Sequence, residues 1–206
     1  MAEEFHPASE AERFALAMRM LKFEARTRTI RLATQLSEDQ IRRLYRRDDA
    51  TASSRHRGRS PSSALQYTRN HAAQLESSIF SGVLVKHGLI KGRRPKPWLH
   101  NPLQYAQRFC DAYAEYLHMA QQEALSFEQA WYFARSLAAR GELYLQRCPR
   151  CASYFVRDTS TVLKNQCPLC QLRERQAHDK QGVKAALSTL PRRRSIAKSR
   201  IKARIQ

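Results

Sequence analysis

The sequence predicts a mainly α fold: a multi-helix domain, then a small four-cysteine zinc-ribbon module and a basic C-terminal tail. Three observations carry this expectation. Apolar residues recur at helical spacing over most of the first 140 residues. Cys148-Pro-Arg-Cys151 and Cys167-Pro-Leu-Cys170 stand fifteen residues apart, a C-x2-C-x15-C-x2-C arrangement. From Gln171 to Gln206 eleven Lys/Arg face two acids, a net of +9. The expected organisation is a helical domain over 1–142 with a helix-turn-helix-like unit near 25–47, the cysteine module over 143–175, and a flexible tail over 176–206.

The elements follow in chain order. Phe14, Met18, Leu21 and Ala25 fall at spacings of four, three and four, and Ile30, Ala33 and Leu36 continue the helical pattern. Ser37-Glu-Asp-Gln40 has the form of a capping box, in which serine and the residue three positions on satisfy each other's backbone N–H. Ile41, Leu44 and Tyr45 then supply a buried face, leaving Arg42, Arg43, Arg46 and Arg47 off it. A helix, a tight turn at Leu36-Ser37 and a short arginine-rich helix resemble a helix-turn-helix unit, whose second helix can enter a major groove. A solvated basic face on a helical bundle is the competing reading.

Residues 48–63 shift to Ser, Arg, Ala and Gly and read as a loop. From Ile41 to Arg69 eight arginines face two acids, a net of +6, so there are two separated basic regions. Leu75, Ile79, Phe80, Val83 and Leu84 predict the next helix, with Gly88 at its end. The Gly92–Pro97 stretch interrupts the chain. Leu103, Ala106, Cys110, Tyr113 and Leu117, flanked by Phe109 and Tyr116, predict another helix, with Cys110 as a small buried hydrophobe. Ser126-Phe-Glu-Gln129 is a second capping box, followed by Phe127, Ala130, Trp131, Ala134 and Leu137 as core positions. Ser153–Val156 and Thr161–Leu163 are the expected ribbon strands, turned at Asp158–Ser160, with Tyr154 and Phe155 beside the metal. Lys180–Leu190 has some helical character. Arg192, Arg193 and Arg194 begin an arm suited to phosphate.

The cysteine spacing gives the sharpest chemistry. Two tight knuckles deliver four thiolates to one ion and leave no position for water, which describes a structural zinc site rather than a catalytic one. The expected cofactor is one zinc ion per chain, held by Cys148, Cys151, Cys167 and Cys170. Thioredoxin-like chemistry needs a βαβ setting that does not surround these residues. Disulfides need an oxidising compartment, whereas the acidic start Met1-Ala-Glu-Glu-Phe-His lacks a secretory n-region. No apolar run approaches a membrane span, so a cytoplasmic protein is expected.

Thirty-seven Lys/Arg against 18 acids give +19, and the pI near 10.4 points to a polyanionic partner, nucleic acid foremost. With 6 glycines, no phosphate-cradling loop and no nucleophile–base pair, no enzyme activity is expected and no catalytic residues are assigned.

Ala17-Met18, Thr34-Gln-Leu-Ser37, Leu44-Tyr45, Ser78-Ile-Phe80 and Ala130-Trp131, in the order helical domain then cysteine quartet, resemble the flagellar transcriptional activator FlhC family over most of residues 10–172. The basic tail and the residues inside the knuckles depart from the family's pattern. The resemblance implies zinc on the four cysteines. It also implies a hetero-oligomer with the smaller FlhD protein, as a heterohexamer of four FlhD and two FlhC subunits. That complex would bind double-stranded promoter DNA of flagellar operons and recruit RNA polymerase, with no membrane involvement. A zinc-ribbon RNA-binding or ribosome-associated protein is the alternative, and a redox sensor using the cysteines is a third class.

Overall fold

The computed structural model describes residues 9–47, 61, 63–90, 101–120, 125–139, 141–160 and 166–189. Among them are seven α-helices, a 3-10 turn and one antiparallel strand pair, so the chain is mainly helical as expected. The order is α1 (Glu10–Lys22), α2 (Thr27–Thr34), α3 (Glu38–Arg47), the 3-10 turn Ala64–Tyr67, α4 (His71–Lys86), α5 (Pro102–Met119), α6 (Phe127–Ala139), β1 (Leu143–Arg147), β2 (Tyr154–Asp158) and α7 (Pro168–Thr189). The chain divides after Pro168, and α7 belongs almost wholly to the second unit. The Gly92–Pro97 break, the strand expected at Thr161–Leu163 and the arm from Arg192 lie outside the described residues. So do nearly all of the 48–63 loop and its arginines.

Helix ends are set by local chemistry. Ser37 and Gln40 form the expected capping box, with N–H···O distances of 2.8 and 3.2 Å. Ser126 and Gln129 do the same at 3.0 and 3.4 Å. Ser9 and Glu12 make a third at the start of α1. Asn70 and Asn101 cap α4 and α5 by accepting from Ala73 and Gln104. α4 ends in a Schellman motif. Gly88 takes φ 69°, its N–H donates to the Val85 carbonyl, and the Leu89 N–H reaches back to Leu84.

α2 is capped from a distance. Its N-cap is Arg26, which has no capping side chain of its own. The Glu128 carboxylate on α6 instead accepts from the Arg26 N–H at 2.8 Å and from the Thr29 hydroxyl at 2.9 Å. A carboxylate at the positive end of α2 is electrostatically favourable and ties α2 to α6.

The core is aromatic. Phe109 packs against Phe80, Phe127 and Trp131 edge-on and stacks with Tyr113, with ring centroids 4.8 to 6.2 Å apart. Phe127, Ala130, Trp131, Ala134 and Leu137 are buried, as are Ile41 and Leu44 of α3. Cys110 is buried, and burial pushes its thiol up to about 12, which suits an inert small hydrophobe. Three helices depart from the expected face at individual positions, while Leu21, Ala25, Phe80, Val83, Leu84 and Ala106 are buried as expected. In α1 the buried residues are Leu16, Ala17, Met20 and Leu21, with Phe14 and Met18 flanking. In α5 Leu117 is exposed, because the buried stripe runs through Phe109, Ala112, Tyr113 and Tyr116.

The third departure is in α4. Ile79 is exposed and Leu75 half-buried, while Gln74, Ser77 and Ser81 are buried. The reason lies in β2, whose outer edge has no third strand among the described residues. Gln74 Nε2 donates to the Val156 carbonyl at 2.9 Å, and the Val156 N–H donates to Ser78 Oγ at 3.1 Å. Ser78 Oγ in turn donates to the Gln74 carbonyl at 2.6 Å. α4 therefore takes the place of a further strand, using side chains for ladder bonds. Replacing Gln74 by alanine strands a buried carbonyl, and a loss of about 1–3 kcal/mol is expected in denaturant unfolding. Gln74→Glu, which keeps size but loses the donor, should lose at least as much.

Candidate metal centre

β1 and β2 pair in register from Leu143 with Asp158 to Arg147 with Tyr154. The first cysteine pair lies in the connection between these strands. The Cys148 N–H donates to the Ser153 carbonyl at 2.8 Å and the Ala152 N–H to the Cys148 carbonyl at 2.9 Å, closing the knuckle. Ala152 completes the turn with φ 60°, a left-handed conformation that L residues adopt at some cost. Asp158 ends β2 and turns the chain as expected, its Oδ1 accepting from the Ser160 N–H and hydroxyl.

The second pair is built differently. Cys167 precedes α7 and Cys170 lies in its first turn, with Pro168 as the first helical residue. Proline suits that position, since its fixed φ matches the helix and it has no N–H to satisfy. The second knuckle is thus a helix start rather than a second hairpin. The helix runs through Thr189, spanning most of the stretch expected at Lys180–Leu190.

The four sulfurs lie within 4.8 Å of one another. Cys151 Sγ and Cys167 Sγ are 3.5 Å apart, and the Cys167 N–H points at Cys148 Sγ from 3.4 Å. Four ligands at about 2.3 Å on a tetrahedron have edges of roughly 3.8 Å, a spacing inside the 4.8 Å over which these sulfurs lie, so the set is close enough to hold one ion. Cys148, Cys167 and Cys170 are buried and Cys151 is exposed. Burial raises the Cys148 thiol, but N–H groups from Cys167, Cys151 and Arg150 outweigh it and bring the thiol down to about 6. The knuckle thus favours the thiolate, the form that binds metal. The donor chemistry is compatible with zinc, and the thiolates would hold it in a closed, structural site.

The hairpin is docked rather than free. Leu143 and Val156 belong to the same apolar cluster as the helices, and Phe155, next to Val156 in sequence, is also buried. Tyr154, expected beside the metal, is instead 63% exposed: it begins β2 at the knuckle end of the ladder, opposite the exposed Arg147, while Val156 on the same face is buried.

The other expected site residues lie apart from the cysteines in sequence. α2 and α3 are joined by Gln35, Leu36 and Ser37, with Gln35 at φ 60° as the helix cap. Arg42, Arg43 and Arg46 are exposed on α3, and Arg47 is its last residue. Arg42 faces Glu38 at 3.5 Å and Asp39 at 3.6 Å, and Glu38 also pairs with Arg31. Tyr45 anchors the helix through its hydroxyl, which donates to the Ala25 carbonyl at 2.9 Å. The sequence expectations assign no long-range role to Gln74, Ser78 or Glu128, which set the hairpin and α2.

A family model described as flagellar transcriptional activator matches residues 6–183, which take in all six helices of the first unit, the hairpin and both cysteine pairs. The chain belongs to the FlhC family. FlhC is a family of transcriptional regulators rather than of enzymes. A search of curated proteins finds no significant match. Among the described residues no helix is long and apolar enough to cross a membrane.

Proposed function

We propose that the chain is a zinc-containing, DNA-binding activator of flagellar operons. In this reading it acts in a hetero-oligomer with an FlhD-type partner and recruits RNA polymerase to promoters. The observation that carries the reading is the FlhC-family match over residues 6–183, with a four-cysteine cluster inside it that can hold one ion. The net charge of +19 supports a nucleic-acid partner through counterion release. Cys148, Cys151, Cys167 and Cys170 are the zinc ligands in this proposal, and the metal shapes the hairpin without performing chemistry.

The exposed arginines of α3 are the leading base-edge or phosphate contacts, with Arg192–Arg194 as a second basic region. The Ser37 cap and the buried Ile41 and Leu44 fix α3, so its arginines project from a rigid element. The test is co-purification with the small partner, followed by binding to flagellar promoter fragments and scrambled DNA across a salt series. Arg42→Ala with Arg46→Ala should weaken promoter binding about tenfold or more while the complex still assembles. Equal affinity of the unsubstituted complex for promoter and scrambled DNA would reject the reading. Preference for structured RNA would favour an RNA-binding protein instead.

A further inference from the structure

The β1–β2 hairpin is polarised along its length. Its two acids, Glu142 and Asp158, lie at the open end, where Leu143 pairs with Asp158. Both are engaged there: Glu142 accepts from the Ala64 N–H, and Asp158 from Ser160. At the other end Arg147 pairs directly with Tyr154 across the strands, and Arg150 lies within the knuckle between Cys148 and Cys151. All three are exposed, and no acid interrupts the sequence from Leu143 to Arg157. The remaining basic residue of the hairpin, Arg157, is half-buried and donates to Gln146 at 2.8 Å.

Two details make this tip more than a charged loop. Arg147 Nε donates to the Ala152 carbonyl at 3.2 Å, which holds the guanidinium plane against the knuckle. Its two terminal nitrogens take no partner among the described residues, so the fork is oriented for an outside acceptor. Tyr154 is a large aromatic at 63% exposure, whereas the ring clusters among the described residues lie in the core.

We propose that Arg147, Arg150 and Tyr154 form a contact to the phosphate backbone of duplex DNA, separate from α3 and held in shape by the metal. The inference rests on the DNA-binding reading above. The guanidinium fork matches a phosphate, and the adjacent ring offers an apolar face to deoxyribose. Arg150 lies between two metal ligands, so its position depends on the closed knuckle.

The test uses the full chain in complex with its partner, on promoter and scrambled duplexes. Arg147→Ala with Arg150→Ala should lower the slope of log K against log salt by about 1.8, two contacts at roughly 0.9 each. The loss should be similar for both duplexes, with metal content and assembly unchanged, because phosphate contacts carry no sequence information. A photo-crosslinking amino acid in place of Tyr154 gives a second readout independent of the arginine variants, and it should cross-link to DNA. A wild-type slope in the metal-replete double variant overturns the tip contact alone, as does cross-linking to the partner protein only. Failure of the unsubstituted complex to bind promoter DNA overturns the underlying reading as well.

Discussion

Cys167→Ser is expected to lose bound metal from about one ion per chain to near zero, and most soluble protein with it. In small zinc domains the metal supplies roughly 10–16 kcal/mol of apparent binding free energy, which is folding free energy where the apo site is disordered. Cys167 is buried, its sulfur lies 3.5 Å from that of Cys151, and its N–H points at Cys148 Sγ. A serine hydroxyl is a poor replacement for a thiolate ligand and leaves a polar group in a buried position. The damage does not stop at the knuckle. Leu143 and Val156 share the helical core, and Val156 is bonded on both sides to Gln74 and Ser78 of α4. Fraying of β2 therefore exposes apolar surface and breaks two hydrogen bonds, one buried and one part-buried. Zinc content by atomic absorption and the soluble fraction on expression check this together. Soluble Cys167→Ser protein with a full complement of metal would contradict the ligand assignment.

Phe109→Ala should destabilise the helical unit by about 3–5 kcal/mol, the usual cost of emptying a fully buried phenylalanine site. The ring touches Phe80, Tyr113, Phe127 and Trp131, which belong to three different helices, so no single element can move to fill the cavity. For a chain of this size the shift in Tm is on the order of 10 °C. Leu65→Ala, at a side chain 48% exposed, is the control and should stay within about 0.5 kcal/mol. Thermal unfolding followed by far-UV circular dichroism separates the two. A Phe109→Ala protein as stable as the Leu65 control would mean that the aromatic cluster is not the core of the fold.

What could be read from the chain was local. Ser37, Ser126 and Gly88 announce helix ends because their partners lie within four residues, and each motif is present in the structure. The cysteine quartet is equally plain, since thiolates at C-x2-C spacing have few other uses together. What escaped was long-range and polar. Gln74 meets Val156 across 82 positions, and Glu128 meets Arg26 across 102, so neither leaves a local period. In α4 this widens the buried face: Phe80, Val83 and Leu84 are buried as the apolar pattern expects, but Gln74, Ser77 and Ser81 join them where the strand edge is satisfied, and Ile79 is left outside. The ribbon shows the same limit. The expected strands are Ser153–Val156 and Thr161–Leu163, yet Leu143–Arg147 pairs with β2 because the first knuckle is itself the hairpin turn. The helical start of the second knuckle did leave a signal, proline at the first helical position followed by helix-forming residues.

The most direct test measures zinc stoichiometry and promoter preference on one sample of the co-purified complex, before and after chelation. The expected result is about one zinc per chain with promoter fragments bound above scrambled DNA, and loss of that preference as the metal is withdrawn. Undiminished promoter preference in a complex shown to be metal-free would contradict the claim that the cysteine-held ion shapes the DNA-binding protein.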